Sequence, residues 1–407
     1  MFKFDFQLDD EEEDESLHIL IHSQSSKATN SALPLSSDDN VDKRCHHITL
    51  EELIKSLPEE ISYSPLSLPF IQTPILRRDL YDARFQLYNK PNDENSASKE
   101  GGENEDDGEK YVDAQTDLIP GLYEGGLKSW EGGVDLVEVL SSVGDNQSEE
   151  KVGEWIRGAS VLEVGCGTSL PTHYLLRSLL STPSSSSSSS SSIKTTFHVQ
   201  DYNSLVLSLV TLPNLVLAAL PFLKPEVLHA PQDEEDVEDV IPDLESPGNL
   251  ALSPALVEAF QNLLVERGID LKFTYGHWTG LADDLVKDGK GYDLVLTAET
   301  IYAEESNASL LEVLRSGARK GDKGNAKESI GLEDSLGDLK VNDDDWQKKP
   351  LSESAQGLTL VAAKVLYFGV GGGLSAFLDR VENDGGWWKG VKNWTKGVGR
   401  KVVQVGW

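Results

Sequence analysis

Two rhythms of apolar and polar positions run along the chain. Short apolar runs at Ser160–Val164, Thr195–Gln200, Leu271–Tyr275, Tyr292–Thr297 and Gly357–Lys364 predict strands. Between them, stretches with helical spacing predict helices over Asp135–Leu140, Pro171–Leu180, Ser306–Arg315 and Gly373–Glu382, with a further apolar helix after Asn203. Strands alternating with helices imply βαβ units and a mostly parallel sheet covered on both faces. Residues 387–407 hold no further long helical pattern and read as a closing antiparallel hairpin, so the predicted fold is α/β, a Rossmann-like seven-stranded sheet. Upstream, Thr49 followed by Glu52 is a capping box that opens a short helix.

The most apolar stretch, Leu205–Leu223, is interrupted by Ser208, Thr211, Pro213 and Asn214, which suits a buried helix pair better than a membrane span. Composition then divides the chain. It carries 69 Asp plus Glu against 36 Lys plus Arg, a net charge of −33 over 407 residues. Segments 1–16, 93–109 and 231–246 hold eight acids each against only Lys3 and Lys99, and so account for two thirds of that charge. Such segments are too polar to bury a core and read as disordered or solvated. Residues 1–47 are accordingly taken as a disordered acidic segment and 48–110 as an N-terminal extension with an acidic linker. Residues 111–407 form the main domain, with low-complexity insertions near 181–192 (the serine run), 229–248 and 317–355. An acidic chain of this kind argues against direct, sequence-independent nucleic-acid binding, which needs cations for phosphates. Two distant cysteines make no disulfide framework, and the N-terminus has no secretory pattern; the expectation is a soluble monomer of the cytoplasm, with the nucleus left open. Cys45-His46-His47 are adjacent and cannot supply a spaced tetrahedral metal set.

After the strand ending at Val164 comes Gly165-Cys166-Gly167-Thr168-Ser169-Leu170-Pro171 and then a helix, the strand–loop–helix order used for nucleotide-like ligands. Position 170 is Leu where the dinucleotide fingerprint needs a small residue, and no P-loop Lys follows, so NAD and ATP are disfavoured. The remaining pattern, Glu163-Val164-Gly165-Cys166-Gly167, resembles motif I of the seven-strand S-adenosylmethionine-dependent methyltransferases. The next strand ends in Gln200-Asp201-Tyr202-Asn203, placing a carboxylate where ribose hydroxyls would lie.

The ordered motifs Gly121–Glu131, Gln200–Asn203, Gly276-His277-Trp278, Thr297–Tyr302 and Ala362–Gly373, together with Pro74–Tyr81, resemble the eukaryotic protein-histidine N-methyltransferases that modify a large-subunit ribosomal protein. The resemblance covers almost the whole chain apart from the insertions, and Glu299 stands where related lysine methyltransferases carry Asp. It implies S-adenosyl-L-methionine as cofactor, S-adenosyl-L-homocysteine as product, a basic ribosomal protein as substrate and the tele nitrogen as target. Around the cofactor it places Ser129, Trp130, Glu131, Gly132, Gly133, Glu163, Gly165, Gly167, Gln200, Asp201, Tyr202, Asn203, Gly276, His277, Trp278 and Thr297. Ser169 departs from relatives that have Gly.

Glu299 and Tyr302 are the candidate catalytic pair. A neutral imidazole needs no strong base at pH 7, so Glu299 need only accept the proton of one ring nitrogen and stabilise the imidazolium, with Tyr302 as an orienting hydroxyl. The competing readings are that Glu299 caps the following turn and Tyr302 packs, and that Trp130 and Trp278 are core residues. His173 is expected to be a satisfied helix residue. Methylation of lysine or a small molecule, or a non-catalytic cofactor-binding ribosome-assembly factor, remain as alternatives.

Overall fold

The computed structural model describes residues 42–88, 118–119, 123–143, 148–183, 193–228, 243–319, 351, 355–367, 373–395 and 397–407. The acidic segments 1–16 and 93–109 and the serine run lie outside the described residues, as does most of 229–248 and 317–355. Strand β1 (Cys45–Ile48) leads to helix α1 (Leu50–Ile54), where Thr49 and Glu52 make the predicted capping box. Then come β2 (Glu60–Leu66), β3 (Ile75–Arg78), α2 (Leu80–Tyr88), the short pair β4 (Leu118–Ile119) and β5 (Tyr123–Glu124), α3 (Glu131–Ser141) and α4 (Glu149–Ile156). The central alternation follows: β6 (Ser160–Val164), α5 (Leu170–Ser181), β7 (Thr195–Asp201), α6 (Ser204–Val206), a π turn at Leu207–Thr211, and α7 (Leu212–Ala219). The rest is β8 (Gly248–Ala251), α8 (Pro254–Glu266), β9 (Ile269–Gly276), α9 (Trp278–Asp288), β10 (Leu294–Ala298), α10 (Asn307–Gly317), β11 (Leu358–Lys364), α11 (Leu374–Asn383), β12 (Trp387–Trp394) and β13 (Arg400–Gly406).

All seven predicted strands lie in one sheet, ordered β1-β9-β7-β6-β10-β11-β13-β12. β9, β7, β6, β10 and β11 run parallel, while β13 is antiparallel to both β11 and β12. The eighth member, β1, pairs antiparallel with β9, which takes Cys45-His46-His47 out of the segment expected to be disordered and into an outer strand. A second sheet, β3-β2-β8, joins two strands of the N-terminal extension to β8 of the main domain and was not foreseen, its strands being short and mixed in polarity.

Alternate strand residues divide between two cores, as the pleat requires. Val161, Leu294, Leu296, Leu360 and Val402 face α3, α5, α7 and α8, whereas Leu162, Val295, Val361 and Val403 face α9, α10 and α11. Of the most apolar 18-residue window in Ser204–Phe222, 89% is buried, shared between this first core and a smaller cluster with Ala83 and Leu127, the place of a helix inside a globular domain. α8 is capped by Ser253, whose side chain accepts the Leu256 N–H, and opens with Pro254, whose missing N–H costs nothing there.

Candidate active site

The loops after β6, β7, β9, β10 and β11 converge at the carboxyl edge of the parallel strands. There, Val164 is level with Gln200 and with Thr297, and Asp201 with Tyr275. Open parallel sheets bind ligands at this edge.

The loop after β6 is built on three left-handed residues at alternate positions: Gly165 (φ 62°), Gly167 (φ 50°) and Ser169 (φ 54°). A Cβ on Gly165 would stand 2.6 Å from Thr300 Cγ2, so the glycine lets the β6 and β10 loops touch. Ser169 is a non-glycine residue in the left-handed region, a conformation that costs about 1–2 kcal/mol. Here its Oγ donates to Glu163 Oε2 at 3.1 Å, and the Thr172 N–H donates to the same oxygen at 3.0 Å. Glu163 therefore fastens the start of α5 from behind the loop, and burial pushes its carboxyl up to about 7.

Gln200 organises the neighbouring strand ends. Its Oε1 accepts from the Gly165 N–H at 3.3 Å and from Trp278 Nε1 at 2.9 Å, while Nε2 donates to the Gly276 carbonyl at 3.0 Å. Asp201 accepts from the Gly167 N–H at 3.0 Å and the Asn203 N–H at 3.2 Å, one on each oxygen, and burial raises its carboxyl to about 6. A carboxylate has about four acceptor positions, more than these backbone donors fill, so the set fits a ligand that offers hydroxyl donors, as a ribose does. Asn203 caps α6, accepting the Leu205 N–H, and His277 caps α9, its Nδ1 accepting the Thr279 N–H. Gly276 is left-handed at φ 108° and donates its N–H to the Tyr202 carbonyl. Tyr202 stays 38% exposed and meets Trp278 edge-on, with ring centroids 4.7 Å apart. Trp278 itself is buried in the second core.

The segment before α3 closes the other side. Ser129 Oγ and Thr168 Oγ1 lie 3.1 Å apart, and Trp130, the N-cap residue of α3, donates Nε1 to the Gly125 carbonyl. Lys364 Nζ sits 5.2 Å from the Trp130 ring centroid and 3.4 Å from Glu131. A Cβ on Gly133 would meet Leu170 and Pro171 only at ordinary distances. Thr297 Oγ1 donates to the Val164 carbonyl at 2.9 Å and lies 2.7 Å from Thr300 Oγ1, which locks β10 to β6.

Glu299 is the most constrained residue of the group. It is non-glycine yet left-handed, at φ 56°. That conformation costs about 1–2 kcal/mol and persists only where its surroundings over-determine it. Its N–H is held by the Ala362 carbonyl, its Oε1 accepts the Gly132 N–H at 3.2 Å, and its Oε2 accepts from Tyr367 Oη at 2.6 Å. Glu299 thus caps α3 rather than the turn that follows it, a contact across the whole site. Burial raises its carboxyl above the ordinary range, opposed first by Lys364 and then by the Tyr367 hydrogen bond. Tyr302 meets Tyr367 edge-on at 6.2 Å between centroids. Tyr367 and Lys364 were not singled out as site residues, although both lie in the quoted Ala362–Gly373 motif. His173, by contrast, is buried in α5 with its imidazole pulled down to about 3 by desolvation, and takes no part in this cluster.

No family model matches the chain. Among curated proteins it is similar to histidine protein methyltransferase 1 of Saccharomyces cerevisiae, at 30% identity over 81% of this chain and 74% of that protein. The protein of the same name from Schizosaccharomyces pombe is 27% identical over 87% of this chain and 83% of its own length. A histidine protein methyltransferase 1 homolog of Rattus norvegicus is 28% identical over 67% of this chain and 53% of that protein.

Proposed function

The chain belongs to the histidine protein methyltransferases, and from that membership we propose that it carries a methyl group from S-adenosyl-L-methionine to the tele nitrogen of a histidine in a basic large-subunit ribosomal protein. The observation that carries the chemical part is the Glu299 carboxylate, held on one side by the Gly132 N–H and on the other by Tyr367, with its chain neighbour Thr300 against Gly165. When bound, the cofactor supplies an electrophilic methyl on a sulfonium. Everything else is positioning, the larger part of the acceleration in an in-line displacement.

The target imidazole is neutral near pH 7, and whichever nitrogen bears the proton cannot be the nucleophile. Glu299 accepts that N–H and so presents the other nitrogen to the methyl. A ring that accepts the methyl would become a cation. The carboxylate of Glu299 offsets that charge, and the product's N–H proton is then released to solvent. Lys364 and Tyr367 oppose the effect of burial on Glu299 and favour its ionised form. The same burial makes the charged carboxylate costly before substrate arrives and rewards an incoming cation.

The basic substrate is supported by the motif resemblance and by the net charge of −33, which steers a cationic partner. The experiment is methyl transfer from labelled cofactor to purified large-subunit ribosomal proteins, followed by amino-acid analysis. Label in tele-methylhistidine is the expected result. Label in pros-methylhistidine overturns the nitrogen assignment, and label in methyllysine overturns the reading of Glu299.

A further inference from the structure

Two carbonyls of the loop after β6 point away from the site and are caught by side chains of the helical stretch behind it. Thr211 Oγ1 donates to the Gly167 carbonyl at 2.7 Å, and Asn214 Nδ2 donates to the Thr168 carbonyl at 2.8 Å. Thr211 is the last residue of the π turn and Asn214 lies in the first turn of α7; both are buried. An Asn inside a helix is unfavourable by propensity, so its place is decided by what its amide holds. Its other end, Oδ1, accepts the backbone N–H of Arg78 at 2.8 Å, which belongs to β3 of the N-terminal sheet.

Arg78 makes a second connection to the same helix. Pro213 has no N–H and cannot satisfy the Leu209 carbonyl four residues earlier. Arg78 Nη1 fills that role at 2.7 Å, and its guanidinium is held in turn by Asp82 and Gln86 of α2. Beyond the loop, Arg177 of α5 donates to the carbonyls of Thr73 and Pro74, just before β3. The segment 73–86 is therefore tied both to the helical stretch that holds the loop and to α5, which follows it.

We propose that Asn214 and Thr211 are positioning residues for the methyl donor: they set the Gly167-Thr168 backbone and couple it, through Arg78, to the N-terminal sheet. This rests on S-adenosylmethionine being the cofactor. With the carbonyls of Gly167 and Thr168 held, the Gly167 N–H is fixed on Asp201, so the loop and the ribose-binding carboxylate are one rigid unit. Freeing either carbonyl lets the peptide planes rotate and misaligns both.

The test is titration of the full-length protein with S-adenosylhomocysteine, alongside steady-state kinetics. Thr211→Val, nearly isosteric, is expected to weaken binding about 5- to 10-fold, the effect of one lost orienting hydrogen bond, and Asn214→Leu, which also frees the Arg78 N–H, by at least as much. The KM for cofactor rises in step, while kcat at saturating cofactor and the KM for protein substrate stay as in wild type. Leu378→Ala, on the opposite face of the sheet, serves as a control that lowers the melting temperature without moving the affinity. Wild-type affinity in folded Thr211→Val overturns the proposal, as does an equal loss in Leu378→Ala. No binding by the wild-type protein itself is a different result, one that overturns the cofactor reading beneath it.

Discussion

Tyr367 donates its hydroxyl to Oε2 of Glu299 at 2.6 Å, tying the loop after β11 to the loop after β10. The same hydroxyl accepts the Lys364 N–H at 3.2 Å, so its rotamer is fixed before any substrate arrives. Glu299→Gln is expected to leave S-adenosylhomocysteine affinity unchanged and to lower single-turnover methyl transfer on the order of 100-fold, as for a group that acts on charge developing in the transition state. Tyr367→Phe is expected to lose about tenfold. Should Glu299→Gln turn over at the wild-type rate while Tyr302→Phe does not, the carboxylate is only a helix cap and the imidazole is held by Tyr302; if neither changes the rate, the target histidine is held elsewhere.

Gly132 offers a test of position rather than charge. A Cβ there would stand 2.9 Å from Glu299 Cγ and 3.0 Å from its Oε1, so Gly132→Ala displaces the carboxylate from both its partners. Its turnover is expected to fall as far as that of Glu299→Gln. A wild-type rate for folded Gly132→Ala would remove Glu299 from the chemistry.

Asp201→Ala is expected to weaken cofactor binding by about 1.5–3 kcal/mol, the range for hydrogen bonds to a charged group. The loss has two sources, the ribose acceptor and the support of the Gly167 N–H. Calorimetric titration of the folded variant measures it, and unchanged affinity contradicts the assignment.

Glu163 gives a pH dependence of defined sign. Its carboxyl is raised from 4.5 to about 7 by burial, so the folded state holds the proton more tightly than the unfolded chain does. Its contribution to stability is complete below the unfolded value and is lost as pH rises through about 7. Relative to wild type, Glu163→Gln should therefore gain stability between about pH 5 and about pH 8, on the order of 3 kcal/mol. His173 and His198, both pulled down to about 3, act in the opposite direction, but cancel in the difference between variants. Urea unfolding at the two pH values checks it; a constant difference means Glu163 titrates alike in both states.

Much of this was legible because buried parallel strands advertise themselves as apolar runs, and Val161, Leu294 and Leu360 sit where such runs place them. Less visible were α9, whose polar face carries Asp283, Asp284 and Lys287, and α4, built on Glu149, Glu150 and Lys151, because each shows only a narrow apolar stripe. Glu299 was legible as a functional residue and as a cap, but not as the cap of α3. Gly132 lies 167 positions earlier, and no local spacing encodes a contact made by the closing of a sheet. Ser169 shows the reverse: a departure from Gly visible in the sequence acquires its cost only once its φ is known.

The four residues of β1 have a consequence beyond the site. They pair with Phe273 through Gly276 of β9, leaving on that strand's outer side only the half that carries Asp270 and Lys272. An uncovered strand offers a row of free N–H and C=O groups on which another chain can add, and charges are the usual deterrent where pairing is missing. β1 and those two charges divide that protection between them. A chain shortened to begin at Leu50 is expected to keep its helices and strands in circular dichroism yet associate with itself through β9.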